Sequence, residues 1–474
     1  MKALKRFPSV LAVAVAVAAC GGGGKATPTT PVTKPAVPTP APTGEVKPVS
    51  EGLTAPEALA MVLKAVEAGS ITVADIEANF APAFLKIVPA EQVVKIVAQL
   101  HDQLTPFKLL KSEHGEGHEN KLSALLDTAS GGVRVDLSVT ETLPRQIDGL
   151  LFKPASSEAP PKTYGDAVAL LEKAGAKSQL FIAELVKGKC VPKQNHNPTV
   201  SLAIGSTTKL WVLLALDDKL RADKKLSWDT TLAVRDEGKS LPSGTMQHDA
   251  AGTTHTLREF ATQMISISDN TATDHLIDYV TVAGVEKALK SAKHGAPAAN
   301  VPFLRTRELF SLKLSTTPEE LDAYRKANVA AKRKLLAELR TRPVTIESAA
   351  AWGNTPRALD LEWFADGRDL CNVMATLGAR GTFDPSSELL KVLGQNAGVG
   401  IDKAQWSYVG FKGGSEPGVM NLTWLLQRSD GKWFVVVVAV NDPTHGIDET
   451  LVINAAQGTI AILGAEAAAT PAAK

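Results

Sequence analysis

Apolar residues recur at helical spacing from Pro56 to Ala68 and again, with interruptions, from Val73 to Leu100. Phe80, Phe84, Leu85 and Ile87 fall on one apolar stripe, and Glu91 to Leu100 repeats the pattern. A period of this kind predicts amphipathic helices. The period then changes. Phe107 to Glu113, Leu122 to Asp127, Val133 to Thr140 and Gln146 to Phe152 read as strands. Helices followed by a curved antiparallel sheet predict a small α+β domain over residues 52–153. Residues 154–163, rich in Pro, Ser and Ala, read as a linker.

Beyond the linker a helix is expected near Tyr164 to Ala174, then strands at Leu180 to Lys187 and Lys189 to Gln194. A mostly helical stretch runs from Ser206 to about Leu393. Strands resume at Trp406, Leu422 and Trp433, and a helix from about Glu449 to Leu463 closes the segment. Leu210-Trp211-Val212-Leu213-Leu214-Ala215-Leu216 is apolar on every side and predicts a buried helix. Trp352, Trp363 and Trp406 stand singly in periodic segments and read as core. Residues 164–464 thus form one domain with sheet elements at both ends of a helical insert, followed by a disordered tail over 465–474.

The first fifty residues have another character. Lys2, Lys5 and Arg6 precede an apolar run from Val10 to Ala19 that is too short to span a membrane. The run ends Val17-Ala18-Ala19-Cys20, which resembles a bacterial lipobox. That resemblance implies a signal peptide over 1–20, lipidation of Cys20, and a protein anchored on the extracytoplasmic face of the cell membrane. Residues 21–51, rich in Pro, Thr and Ala, cannot bury a core and read as a flexible tether.

Composition adds limits. Lys plus Arg number 51 and Asp plus Glu 50 in 474 residues. The near-zero net charge gives no reason to expect nucleic acid as a partner. A hydrophobic content of 44% suits a substantial core. An exported protein permits a disulfide, but Cys190 and Cys371, far apart in sequence, do not establish one. Cys371 lies in Asp369-Leu370-Cys371-Asn372-Val373-Met374, an amphipathic helical run, where a buried free thiol is the default. His114 and His118 flank glycines between two strands and read as a solvated turn, not a metal site. His101 reads as a helix-surface residue. No metal or cofactor is expected.

Three short motifs carry the chemistry: Ser206-Thr207-Thr208-Lys209, Ser268-Asp269-Asn270 and Lys412-Gly413-Gly414. Ser206 and Lys209, three residues apart at the start of a helical run, share one face. A neutral serine hydroxyl needs an adjacent base to attack, and a lysine becomes that base when burial and nearby cations lower its pKa. The third motif ends Trp406-Ser407-Tyr408-Val409-Gly410-Phe411, a strand-like run, where glycines would let a substrate backbone lie along a strand edge.

In order and context these motifs resemble the penicillin-recognising serine hydrolases, class A β-lactamases and penicillin-binding proteins. The resemblance covers roughly residues 165–464 and implies a β-lactamase/transpeptidase-like fold, an antiparallel sheet flanked by helices. It implies an acyl-enzyme on Ser206, with Lys209 as base. Ser268 would relay a proton to the leaving group, supported by Lys412. Asn270 would bind the substrate amide, and Gly413, Gly414 and Ser415 would line the substrate strand. The N–H groups of Ser206 and Ser415 would form the oxyanion pocket. Asp269 reads as structural. Glu308 can be laid on the water-activating glutamate of class A enzymes, but Leu312 stands where they carry an asparagine, and an ion pair of Glu308 with Arg305 or Arg307 is the alternative. Gly413 replaces a hydroxyl residue that helps hold the β-lactam carboxylate. The amino-terminal helices and strands, with Phe84-Leu85-Lys86-Ile87-Val88-Pro89, resemble the steroid-isomerase-like cone that precedes a class A-like domain in some actinobacterial proteins, including one type from clavulanic-acid biosynthetic clusters.

The expected substrate is therefore a β-lactam or a related amide or ester. A D-alanyl-D-alanine peptidase of peptidoglycan, and a penicillin-binding envelope protein that acylates once and stays blocked, are the alternatives.

Overall fold

The computed structural model describes residues 51–115, 118–128, 131–342, 352–353 and 355–466. Cys20, the expected signal segment, the tether up to residue 50 and residues 467–474 lie outside them. The chain divides into two compact units, Met1–Ser157 and Glu158–Lys474; the division falls within the stretch read as a linker.

In the first unit Thr54 starts helix α1 (Ala55–Ala68). Its hydroxyl accepts from Glu57 N, and the Glu57 carboxylate accepts from Thr54 N at 2.8 Å. This reciprocal pair satisfies two amides that the helix start leaves free. Helices α2 (Val73–Asn79), α3 (Pro82–Leu85) and α4 (Ala90–Leu104) follow. Strands β1 (Phe107–Gly115), β2 (His118–Thr128), β3 (Gly131–Val139) and β4 (Ile147–Pro154) form an antiparallel sheet in sequence order. Leu122, Leu126, Val135 and Leu137 point from the sheet into one core with Leu59, Val62, Ile76 and Phe80.

Two expectations are corrected here. Ile87 is 58% exposed, because the α3 helix ends at Leu85 and the apolar stripe ends with it. His101 is not a simple surface residue: it is part-buried, with Nδ1 3.0 Å from Val66 O in the last turn of α1.

The second unit opens with α5 (Tyr164–Ala174), β5 (Lys177–Val186), β6 (Lys189–His196) and β7 (Leu202–Ala203). A turn of 3-10 helix, Gly205–Thr208, leads into α6 (Lys209–Ala222). Then come β8 (Thr231–Ala233), β9 (Thr254–Thr256), α7 (Leu257–Ser266), α8 (Asn270–Val280) and α9 (Val282–Ser291). Next are α10 (Thr306–Leu314), α11 (Pro318–Lys326), α12 (Val329–Leu339), β10 (Phe364–Ala365), α13 (Gly367–Arg380) and α14 (Glu388–Leu393). The chain closes with β11 (Trp406–Glu416), β12 (Val419–Arg428), β13 (Trp433–Asn441) and α15 (Glu449–Ala465).

Strands from both ends of this unit share one five-stranded antiparallel sheet, ordered β11-β12-β13-β5-β6. All of β13 is buried, since both sheet faces are covered. Leu180, Ile182, Trp424 and Val436 pack with α5 and α15 on one face. Phe181, Val435 and Val437 pack on the other with α6, α7 and α13. A strand covered on both faces is apolar without alternation, and each such valine contributes roughly 1.5–3 kcal/mol by leaving water. The Leu210–Leu216 run is the buried part of α6, as its all-round apolar character requires.

Cys190 and Cys371 form a disulfide, correcting the expectation of a free thiol. The β5–β6 hairpin brings Cys190 against α13, with the two Cα atoms 6.3 Å apart, within the span a disulfide bridges. The sequence separation of 181 residues hid the approach.

Candidate active site

The three motifs converge where α6, the α7–α8 junction and the sheet edge meet. Ile204 N donates to Trp363 O at 3.0 Å, and the Asn441 side chain bonds both Ala203 N and Ala203 O. These bonds pin the chain entering the first motif. Gly205 then takes φ 50° and turns it into the 3-10 helix that carries Ser206. Ser206 is partly exposed, whereas Lys209, one turn later, is fully buried.

Lys209 Nζ donates to Ser268 O at 2.6 Å, to Ser268 Oγ at 3.0 Å and to Asn270 Oδ1 at 2.8 Å. All three acceptors are neutral. Burial, and then the charge of Lys412, hold its pKa well below the ordinary lysine value. Lys412 reaches the same hydroxyl from β11, Nζ to Ser268 Oγ at 3.1 Å, and burial pushes its pKa down to about 7. Ser268 therefore stands between two buried amines. Its backbone is held at φ 60°, a conformation non-glycine residues rarely adopt, and its carbonyl also accepts from Ser243 Oγ at 2.7 Å.

Asp269 ties this loop down. One oxygen caps α8 through Ala272 N at 2.7 Å, and the other accepts Thr245 N and Met246 N at 2.6 and 2.8 Å. Asn270, expected at the substrate amide, is 2% exposed and engages both ends of its amide internally, with Lys209 and with Leu241 O at 3.1 Å.

The glycines of the third motif pack closely against the rest of the protein. A Cβ on Gly414 would lie 2.1 Å from Ile204 O and 2.5 Å from Ser206 N. The strand thus presses on the turn that holds Ser206. A Cβ on Gly413 would lie 2.8 Å from the Phe411 ring and 3.3 Å from Leu422, so the missing hydroxyl there follows from apolar packing. Ser415 is exposed, and its N lies 3.2 Å from where a Gly205 Cβ would be. Because β11 is an edge strand, its outward amides have no strand partner. The N–H groups of Ser206 and Ser415 are brought to the same place.

Glu308, the expected water-activating glutamate, is held at the start of α10. Its carboxylate accepts from Arg305 N at 2.8 Å and Arg305 Nη1 at 3.0 Å at the start of α10, the ion-pair alternative. Sequence reading missed the groups that join α10 to the second motif. Thr306 Oγ1 lies 2.8 Å from Asp274 Oδ1, 2.8 Å from Ser240 Oγ and 3.3 Å from Asn270 O. Asp274 also accepts Thr306 N and Arg307 N, and burial raises its pKa to about 6. No carboxylate among the described residues hydrogen-bonds Lys209, Ser268 or Asn270. No group of three or more His, Cys, Asp or Glu side chains gathers as a metal site among the described residues.

No curated protein matches the chain. Solved structures similar to it include a beta-lactamase from Sphaerobacter thermophilus, 20% identical, covering 65% of this chain and 98% of its own, with a TM-score of 0.44. A beta-lactamase from Chitinophaga pinensis is 17% identical, covering 65% of this chain and 100% of its own, with a TM-score of 0.45. PBP-A is 17% identical, covering 65% and 97%, with a TM-score of 0.42. Residues 164–337, from the first helix of the second unit to α12 and including the first two motifs, match the beta-lactamase enzyme family.

Proposed function

We propose that the second unit is an active-site-serine hydrolase of the beta-lactamase type, opening β-lactams or related amides and esters through an acyl-enzyme on Ser206. The family domain over residues 164–337 supports the class. One observation carries the mechanism. Lys209 is fully buried and bonded to Ser268 Oγ, and among the described residues no carboxylate hydrogen-bonds it.

A neutral Lys209 takes the Ser206 proton as Oγ attacks the carbonyl carbon. The oxyanion is met by the N–H groups of Ser206 and Ser415. As the C–N bond breaks, Ser268 gives its proton to the leaving nitrogen and is reprotonated from the lysine pair. Asn270 orients Lys209, and Lys412 holds Ser268. Hydrolysis of the ester then requires a water and a base. With Glu308 engaged by Arg305, acylation outpaces deacylation, and β-lactam turnover is slow. That observation favours the second reading, a penicillin-binding protein or D-alanyl-D-alanine peptidase on the same machinery. The lipobox-like segment supports attachment to the membrane through Cys20. The helices-then-sheet order of the first unit supports a steroid-isomerase-like cone.

The test is intact mass after mixing with a fluorescent penicillin, followed over time. An adduct on Ser206 that decays slowly is expected. Rapid decay with high turnover would show an efficient β-lactamase. No adduct at Ser206 with any β-lactam or active ester would refute the reading.

A further inference from the structure

Lys313, on α10, is as enclosed as Lys209, but acids surround it. Its Nζ donates to Glu362 Oε1 at 2.6 Å and to Glu416 Oε1. The three side chains are 0%, 0% and 5% exposed. None belongs to a motif, yet each sits in a chain segment beside one. Glu416 follows Ser415 directly at the end of β11. Glu362 precedes Trp363, whose carbonyl holds Ile204 N, and β10, which pairs with β7 just before Ser206. The free Glu362 oxygen accepts Trp363 N at 3.1 Å, fixing the carboxylate to that segment. Lys313 itself lies about two helical turns along α10 from Thr306, which reaches the second motif. One ammonium thus joins the two backbone segments that bear Ser206 N and Ser415 N.

We propose that Lys313 is a positioning residue for the oxyanion pocket: by gripping Glu362 and Glu416 it fixes the spacing between the Ser206 and Ser415 N–H groups. The proposal rests on the acyl-enzyme reading above. Hydrogen-bond donors stabilise a developing oxyanion only when preset at bonding distance. Ser415 is one residue from the end of an edge strand, paired on one side only by β12, so its amide needs a second anchor. Buried charge pairs add little net stability, and in some proteins they fix geometry instead.

Two carboxylates facing one ammonium leave a surplus negative charge in a dry site. Burial, and then Glu362, push the Glu416 carboxyl well above its ordinary range, against the pull of Lys313. Burial works against the Lys313 ammonium, but Glu362 and Glu416 outweigh it and keep it charged. Glutamine matches Glu416 in shape and keeps an oxygen acceptor for Lys313.

The experiment is rapid-quench labelling of Ser206 in the full chain by a fluorescent penicillin, with melting curves of each variant. Glu416→Ala is expected to slow labelling on the order of 10²-fold, the typical loss for one oxyanion donor. The penicillin concentration giving half the maximal labelling rate should barely change. Glu416→Gln is expected to label at close to the wild-type rate. Should Glu416→Ala fail to fold, Glu416→Leu, closer in volume, carries the same expectation. A folded Glu416→Ala or Glu416→Leu that labels as fast as wild type overturns the proposal and leaves the acyl-enzyme reading intact. An equal loss in Glu416→Gln also overturns it. A wild-type protein that is not labelled at Ser206 removes the reading and the proposal together.

Discussion

Lys209 and Lys313 lie in the same unit and are both buried, yet one is ringed by neutral oxygens and the other by two carboxylates. Burial disfavours the ammonium at both positions. At Lys209 nothing hydrogen-bonded to it compensates, and Lys412 adds a second cation, so the pKa falls. At Lys313 two acids reverse the effect, and the pKa rises. Desolvation lowers a buried lysine's pKa unless acidic neighbours outweigh it, so the charges of the neighbours decide whether it carries protons away or ties segments together. Ser206 stands one helical turn from the first kind.

The largest effect separating the two is on chemistry. Ser206→Ala and Lys209→Met are each expected to cut the acylation rate by roughly 10⁴-fold or more, because groups acting as a unit fail together. Stopped-flow acylation by a chromogenic β-lactam measures this. A Lys209→Met protein acylating at the wild-type rate would erase the distinction.

Stability should show the reverse order. Lys313→Met strands two buried acids and is expected to cost about 3–5 kcal/mol in urea denaturation. Lys209→Met strands only neutral acceptors, at roughly 1–3 kcal/mol. Equal losses would show that the partners of Lys313 do not hold it as a cation. A double Cys190→Ser, Cys371→Ser variant serves as the control. It is expected to lose about 2–4 kcal/mol without altering the pH dependence of acylation.

The pH profile tests the lysine pair. Acylation needs neutral Lys209, so the rate should rise with pH along a limb that belongs to Lys209 and Lys412 jointly. Lys412 helps hold the Lys209 pKa down. Lys412→Met removes that cation, so the acid limb should move to higher pH, whatever happens to the maximal rate. A limb that stays in place would mean burial alone sets the base. Between about 7 and 10.5 native Lys412 binds fewer protons than the unfolded chain, so its contribution makes stability rise with pH through that window.

The smallest effect is expected from Glu308→Gln. With the carboxylate engaged by Arg305, both the burst and the slow phase of β-lactam turnover should be nearly unchanged. A selective slowing of the second phase would restore Glu308 as the base for deacylation.

What was legible in the sequence follows the range of each interaction. Ser206 and Lys209 lie within one helical turn, so spacing alone put them on one face. The all-apolar Leu210–Leu216 run announced its burial because the helix is covered on all sides. The Lys313 contacts bridge 49 and 103 residues, the Thr306–Asp274 bond 32 and the disulfide 181. No local pattern encodes them. Glycine marked close approach at Gly414: within the protein its near neighbours are Ile204 O and the amides of the turn that carries Ser206. Glu308 was ambiguous because a glutamate three residues after the residue preceding a helix is also a capping position.

The most direct measurement is a time-resolved intact-mass experiment on wild type and Ser206→Ala with a penicillin, followed by peptide mapping. Wild type should gain one penicillin mass on the peptide containing Ser206 in a burst equal to the protein concentration, and lose it slowly. Ser206→Ala should gain none while melting as wild type does. An adduct on another residue, or the same adduct in Ser206→Ala, would contradict the assignment of Ser206 and Lys209 as nucleophile and base.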